Sequence, residues 1–165
     1  MKLFLPYGSL DTKRRALLFV LLSLCLLALA FIFYNSSLSP SASGEQSDAV
    51  GGVIESVLPE GAPITDFLVT NIRVTAHFAE FFLLGALVSL TLVLFSYRPI
   101  VLAIPSAVVG VLIGLTDETV QYFSARGPEI LDVWIDAFGY FAATVTVILI
   151  YLAVRYFKAR AKKEA

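Results

Sequence analysis

Between Asp117 and Gly139 the chain reads DETVQYFSARGPEILDVWIDAFG. This stretch sets Asp117, Glu118, Asp132 and Asp136, with Gln121 and Arg126, between two hydrophobic runs. Upstream, Arg73, His77 and Glu80 recur at i, i+4 and i+7, the spacing of one helix face. Carboxylates beside a histidine can move protons or hold a divalent cation, and a guanidinium can grip an anion with two parallel hydrogen bonds. His77, Glu80, Asp117, Glu118, Asp132 and Asp136 are therefore the candidate catalytic groups. Arg73, Gln121 and Arg126 are the candidate binding groups. If a metal is held, Asp117, Glu118, Asp132 and Asp136 are its expected ligands, and an oxygen-rich set suits Mg²⁺ or Ca²⁺ better than a structural zinc.

The charges in this set do not balance. Arg73 and Arg126 are the only fixed cations near Glu80 and the four carboxylates above. Crowded, poorly hydrated carboxylates do not all stay ionised. Either some protons are retained, which needs no cofactor, or a cation such as Mg²⁺ or Ca²⁺ is bound.

The elements that must position these groups are membrane helices. The chain is 58% hydrophobic and 15% charged, with a mean hydropathy of +0.84, too apolar for a soluble domain of this size. Residues 16–34 carry no charge, and as a helix they span about 28 Å, enough for a hydrocarbon core. A cleaved signal peptide is the rival reading, but the run is longer than an ordinary signal core. Three more apolar segments follow, at roughly 73–95 (starting as early as Asp66), 100–123 and 131–151. Pro105 is expected to loosen or kink the third helix near its start. The expected fold is all-α: a bundle of four transmembrane helices with a long external loop, residues 35–71, after the first.

That loop begins NSSLSPSASGEQSDAVGG, a Ser- and Gly-rich composition expected to be mobile, with a short amphipathic piece at 53–58. Its Asn35-Ser36-Ser37 matches a glycosylation acceptor, a pattern frequent by chance. The loop holds acids and no Lys or Arg. The tail at 1–15 carries Lys2, Lys13, Arg14 and Arg15, the second connection carries Arg98, and the tail at 155–165 carries five more basic residues. By the positive-inside rule both termini are cytoplasmic, in a multi-pass protein of the cell (inner) membrane. Cys25 is the sole cysteine, so neither an internal disulfide nor a Cys-based metal site forms. Nothing resembles a nucleic-acid module, and membrane lipid is the expected partner.

This topology brings His77 and Glu80, Asp117 and Gln121, and Asp132 and Asp136 to the same membrane depth, near the outer helix ends. Gly110, Gly114, Asp117 and Gln121 form one stripe; Asp132, Asp136, Gly139 and Ala143 repeat it in reverse. Small residues let membrane helices approach, so the third and fourth helices are expected to pack small face to small face and open into an acidic pocket. Taken singly, the residues have plainer readings. Glu118 and Glu129 read as solvated helix-end acids, Asp132 as an acid favoured at a helix N-terminus, and His77 as a hydrogen-bonded interior residue. Their convergence, with Glu80 and Asp136 a turn inside the apolar region where charge is costly, favours a working site.

The stretches IRVTAHFAEFFLLGAL (72–87) and DETVQYFSARGPEILDVWIDAFG (117–139) resemble the VanZ-like family of small membrane proteins, named for a teicoplanin-resistance protein. His77, Glu80, Asp117, Glu118, Gln121, Arg126, Asp132, Asp136 and Gly139 take the places of that family's pattern. The turn reads Ser-Ala-Arg-Gly rather than Pro-Gly-Arg, and Val74 and Val120 replace common polar residues. The resemblance places a VanZ-like three-helix region at 72–154 and implies a cell-envelope or glycopeptide-resistance role, without supplying a reaction. Together the residues point to an outward acidic pocket that binds or modifies a lipid-linked or cell-wall component. The alternatives are a non-catalytic scaffold, whose polar network only fixes the bundle, and proton- or cation-coupled transport. No nucleophile motif and no Gly-rich phosphate loop is present.

Overall fold

A computed structural model describes residues 4–96 and 99–164; Lys2 and the Arg98 of the second connection lie outside the described residues. After a short 3₁₀ turn at Tyr7–Ser9 come six helices: α1 (Thr12–Ser36), α2 (Pro40–Val57), α3 (Pro63–Thr70), α4 (Ile72–Phe95), α5 (Pro99–Phe123) and α6 (Ile130–Glu164). No strand occurs among the described residues. Helices α1, α4, α5 and α6 are each long and apolar enough to cross a membrane, so the chain is an all-α membrane bundle with four spans.

The local sequence explains where the spans start. Asp11 caps α1 by accepting from the backbone N–H of Arg14 at 2.8 Å. Helix α5 opens on Pro99 and continues through Pro105, whose ring removes one backbone donor. Helix α6 is longer than a bilayer requires: its 35 residues cover about 52 Å. Its last turns carry the basic residues beyond the apolar part, with Arg160 paired to Glu164. The tail that sequence sets apart at 155 is thus continuous with the last span.

Successive spans run in opposite directions. The start of α1 meets the end of α4, where Leu10, Leu21 and Phe95 pack together and Leu5 donates to the Phe95 carbonyl. At the other end, the C-terminal turns of α1 and α5 meet the N-terminal turns of α4 and α6. The polar residues lie at that second end.

The tightest seam is between α4 and α6, not between α5 and α6. A Cβ on Gly85 would lie 2.6 Å from the Tyr140 carbonyl oxygen, and one on Gly139 would lie 2.6 Å from that of Phe78. Only glycine allows backbones this close. The expected small-to-small packing of α5 on α6 is therefore corrected. The α5 glycines receive large α6 side chains instead, Tyr140 over Gly110 and Asp136 over Gly114. Tyr140 fills the core with Ile32, Phe81 and Leu84, and its hydroxyl meets Ser106 Oγ at 2.7 Å. Leu26, Ile104, Leu112 and Phe138 face outward, the arrangement a hydrocarbon solvent demands.

The segment 35–71 departs most from its sequence reading. It is not a mobile loop with a short amphipathic piece but two helices. Ser39 caps α2 by accepting from Ala42 N–H, and prolines stand at the first turns of both α2 and α3. A Ser/Gly composition is poor for helix propensity, and packing offsets that deficit. Gly51 is buried beside Val69 of α3, and Gln46 donates to Asn35. Asn71 breaks the chain between α3 and α4, so α4 does not extend back to Asp66.

Candidate functional site

Helix α4 presents Arg73, His77 and Glu80 from one face, as the spacing predicts. His77 Nδ1 lies 2.9 Å from Asp136 Oδ1, and its Nε2 lies 3.8 Å from Asp132 Oδ2. One imidazole thus bridges the two α6 carboxylates. Arg73 Nη2 lies 2.8 Å from Asp132 Oδ2, a close charge pair without hydrogen-bond alignment, and donates to Gln121 Oε1 at 3.0 Å.

Gln121 is the hub. Its Nε2 donates to Asp117 Oδ2 at 2.9 Å and to Glu118 Oε1 at 2.8 Å. Its i−4 and i−3 placement puts both acceptors within reach of one amide. Glu118 also accepts from the backbone N–H of Glu129 at 2.7 Å, at the entry to α6. It is buried, unlike the solvated helix-end acid expected of it alone. Asp117 accepts from Ser36 of α1, and Glu80 accepts from Asn35 Nδ2 at 2.7 Å.

Burial makes these pairings consequential. Asp136 is 0% exposed and Asp117 1%, depths at which an unpaired charge is expensive. Yet Asp136 Oδ2, Asp132 Oδ2 and Arg73 Nε have no hydrogen-bond partner among the described residues.

Two overlapping sets of donors stand close enough for one cation: His77 with Asp117 and Asp136, and His77 with Glu118 and Asp132. Within each set the ligand atoms lie within 4.8 Å of one another. Oxygen ligands 2.0–2.6 Å from a shared ion are separated by up to about 5 Å. The four carboxylates expected to act as one metal set are thus divided between the two sides of His77. Each side has one carboxylate oxygen without a hydrogen-bond partner among the described residues, Asp136 Oδ2 on one and Asp132 Oδ2 on the other; the latter lies 2.8 Å from Arg73 Nη2, and Glu118 has both of its oxygens engaged.

A cavity of about 160 Å³ opens between the end of α1, α2 and α4. Asn35, Gln46, Arg73, His77, Glu80 and Arg126 line it. Arg126, a candidate binding group, donates to the Asn35 carbonyl at 3.0 Å and makes no ion pair with an acid among the described residues. Burial and then the like charge of Arg73 push its guanidinium below the ordinary value, though a guanidinium stays charged. Ala125, at φ 57°, makes the tight turn that returns Arg126 N–H to the Gln121 carbonyl.

Every candidate on α4, α5 and α6 reaches this end of the bundle. Sequence reasoning missed Asn35 and Ser36, which tie α1 to Glu80 and Asp117, and Gln46 of α2. The available signal was two amide or hydroxyl residues directly after an uncharged run, at the depth where Glu80 and Asp117 fall.

No curated protein and no solved structure matches the chain. The family model described as VanZ/LLP1 matches residues 19–152, from within α1 to within α6, and so takes in the α1 and α2 residues that complete the network as well as those on the later spans. By that match over most of its length, the chain belongs to the VanZ/LLP1 family.

Proposed function

We propose that the chain is a multi-pass protein of the cell envelope whose polar pocket faces outward and binds or modifies a lipid-linked or cell-wall component. The inner (cytoplasmic) membrane is its proposed location, with both termini cytoplasmic, because the basic residues concentrate in the two tails. The observation that carries the reading is the convergence on one cavity of His77, backed by the buried Asp136 at 2.9 Å, and the two guanidiniums of Arg73 and Arg126. His77 and Asp136 would pass a proton, and Arg126 would hold an anionic group of the ligand. Mg²⁺ or Ca²⁺ at the His77, Asp117 and Asp136 set would supply charge neutralisation; retained protons on the carboxylates would serve the same balance. Glycopeptide resistance comes to this chain as part of the same proposal.

A non-catalytic scaffold is the second reading. It is favoured by Ser36, Asn35 and Gln121, whose bonds stitch α1, α4 and α5 together and would hold the bundle without any ligand. Arg126→Lys separates the two. It keeps the charge and loses the planar fork. A pocket protein loses its envelope phenotype, such as altered glycopeptide susceptibility, while membrane abundance stays normal. A scaffold loses phenotype only in proportion to abundance.

A further inference from the structure

A second hollow, of about 190 Å³, lies between α1 and α4 beside the polar cavity. Ala28 of α1 and Ala79 of α4 leave the gap open; Phe31 and Leu83 flank it, each about half exposed, over the buried Ile32. Phe31 and Glu80 line both hollows, so the apolar one adjoins the polar one across these two side chains. The change of character takes one helical turn on each side. Along α1 the lining passes from Ala28, Phe31 and Ile32 to Asn35; along α4 it passes from Leu83 and Ala79 to Glu80, Ala76 and Arg73. A feature that is polar and cationic at one end, and apolar and open toward the bilayer at the other, has the form of an amphiphile's complement.

We infer that the two hollows are a single site for a membrane amphiphile with a phosphate-bearing headgroup. The headgroup lies against Arg126 and Arg73, the hydrocarbon chain runs down the gap between α1 and α4, and the ligand enters sideways from the bilayer. The proposal rests on the pocket reading above and narrows it to a lipid-anchored ligand rather than a soluble one. The anionic class follows from charge. Arg126 stands on the cavity wall without a carboxylate partner among the described residues, and its guanidinium suits a phosphate's charge and geometry; Arg73 on the same wall is paired with Asp132 but keeps its Nε without a hydrogen-bond partner among those residues. The chain follows from solvent. At this depth the alternative occupant of an Ala-lined gap is unspecific bilayer lipid, and the adjoining cations select which lipid that is.

The test uses the purified full chain in nanodiscs, with phosphatidic acid bearing a photoreactive diazirine in its acyl chain, and with glycerol 3-phosphate as the soluble headgroup. Labelling should concentrate at Ala28–Ile32 and Ala79–Leu83. Arg126→Gln should weaken both probes, by about tenfold, the loss of a charge-assisted contact. Ala79→Trp, which fills the gap, should weaken phosphatidic acid about tenfold more than glycerol 3-phosphate; Ala28→Phe should do the same from the opposite wall and guards against misfolding of either variant. Labelling spread evenly over outward residues such as Phe19 and Ile104 would overturn the amphiphile site. So would glycerol 3-phosphate binding that depends on Arg126 while neither gap-filling variant affects the lipid, an outcome that leaves the pocket reading standing. If neither probe responds to Arg126→Gln, the anionic pocket itself falls, and this proposal with it.

Discussion

Gln121→Leu is the sharpest perturbation of the network. The side chain is fully buried and similar in volume to leucine, so packing changes little. What is lost is the Nε2 amide that donates to Asp117 and Glu118, and the Oε1 that accepts from Arg73. Hydrogen bonds to charged groups contribute about 1.5–3 kcal/mol each, and a buried acceptor left without its donor costs its desolvation as well. Asp117 keeps Ser36 and Glu118 keeps the Glu129 N–H, so neither carboxylate is abandoned. A net loss of about 3 kcal/mol follows, after the apolar gain of the leucine is set against it. For a chain of this size that lowers the melting temperature by about 6–12 °C. Thermal unfolding of the purified protein in detergent, followed by tryptophan fluorescence or by far-UV circular dichroism, reads it directly. Trp134 is the sole tryptophan and sits on α6 two residues from Asp132. Gln121→Glu is the companion variant: same shape, but a third acid where a donor to two acids is needed. A fall of less than about 2 °C for Gln121→Leu, within the scatter of surface substitutions, would refute the hub. So would a Gln121→Glu variant as stable as the parent.

Three further outcomes are expected. Asp132→Asn should destabilise the fold by removing the nearer charge partner of Arg73, leaving only Glu129 Oε1 at 3.9 Å, while Asp136→Asn, which retains an oxygen for His77, should keep the fold; if Mg²⁺ or Ca²⁺ is held by His77, Asp117 and Asp136, added metal should still stabilise Asp132→Asn and no longer stabilise Asp136→Asn, as differential scanning fluorimetry would show. In a Cys25→Ser background, Ser43→Cys should react with a membrane-impermeant maleimide on intact cells and Lys158→Cys should not; the reverse pattern would invert the orientation. Gly85→Ala and Gly139→Ala should each cost about 1–3 kcal/mol or more, since the added methyl meets backbone at 2.6 Å, whereas Gly52→Ala, with nothing within 4 Å, should be neutral or stabilising; equal folded yields of all three on size-exclusion chromatography would contradict the close α4–α6 seam.

The sequence by itself determined the spans and the end of the bundle at which the polar residues meet. Both are local properties: an uncharged run long enough for hydrocarbon is a span wherever it packs, and Arg73, His77 and Glu80 share a face by helical spacing alone. It also determined that Glu80 and Asp136 need partners, because charge at that depth is costly. The partners themselves were decided by tertiary structure. Helical periodicity orients residues about their own axis and not against the next helix. It is the observed rotation that sets Asp132 against Arg73, and the small stripe of α5 against the Asp136 and Tyr140 side chains. The α2 helix shows the same division. Its Ser/Gly-rich composition reads as a coil, since propensity counts only what a residue does alone. Beyond the local cap at Ser39, its helical form depends on seating Gly51 against α3 and Gln46 against Asn35, contacts supplied by residues on other elements.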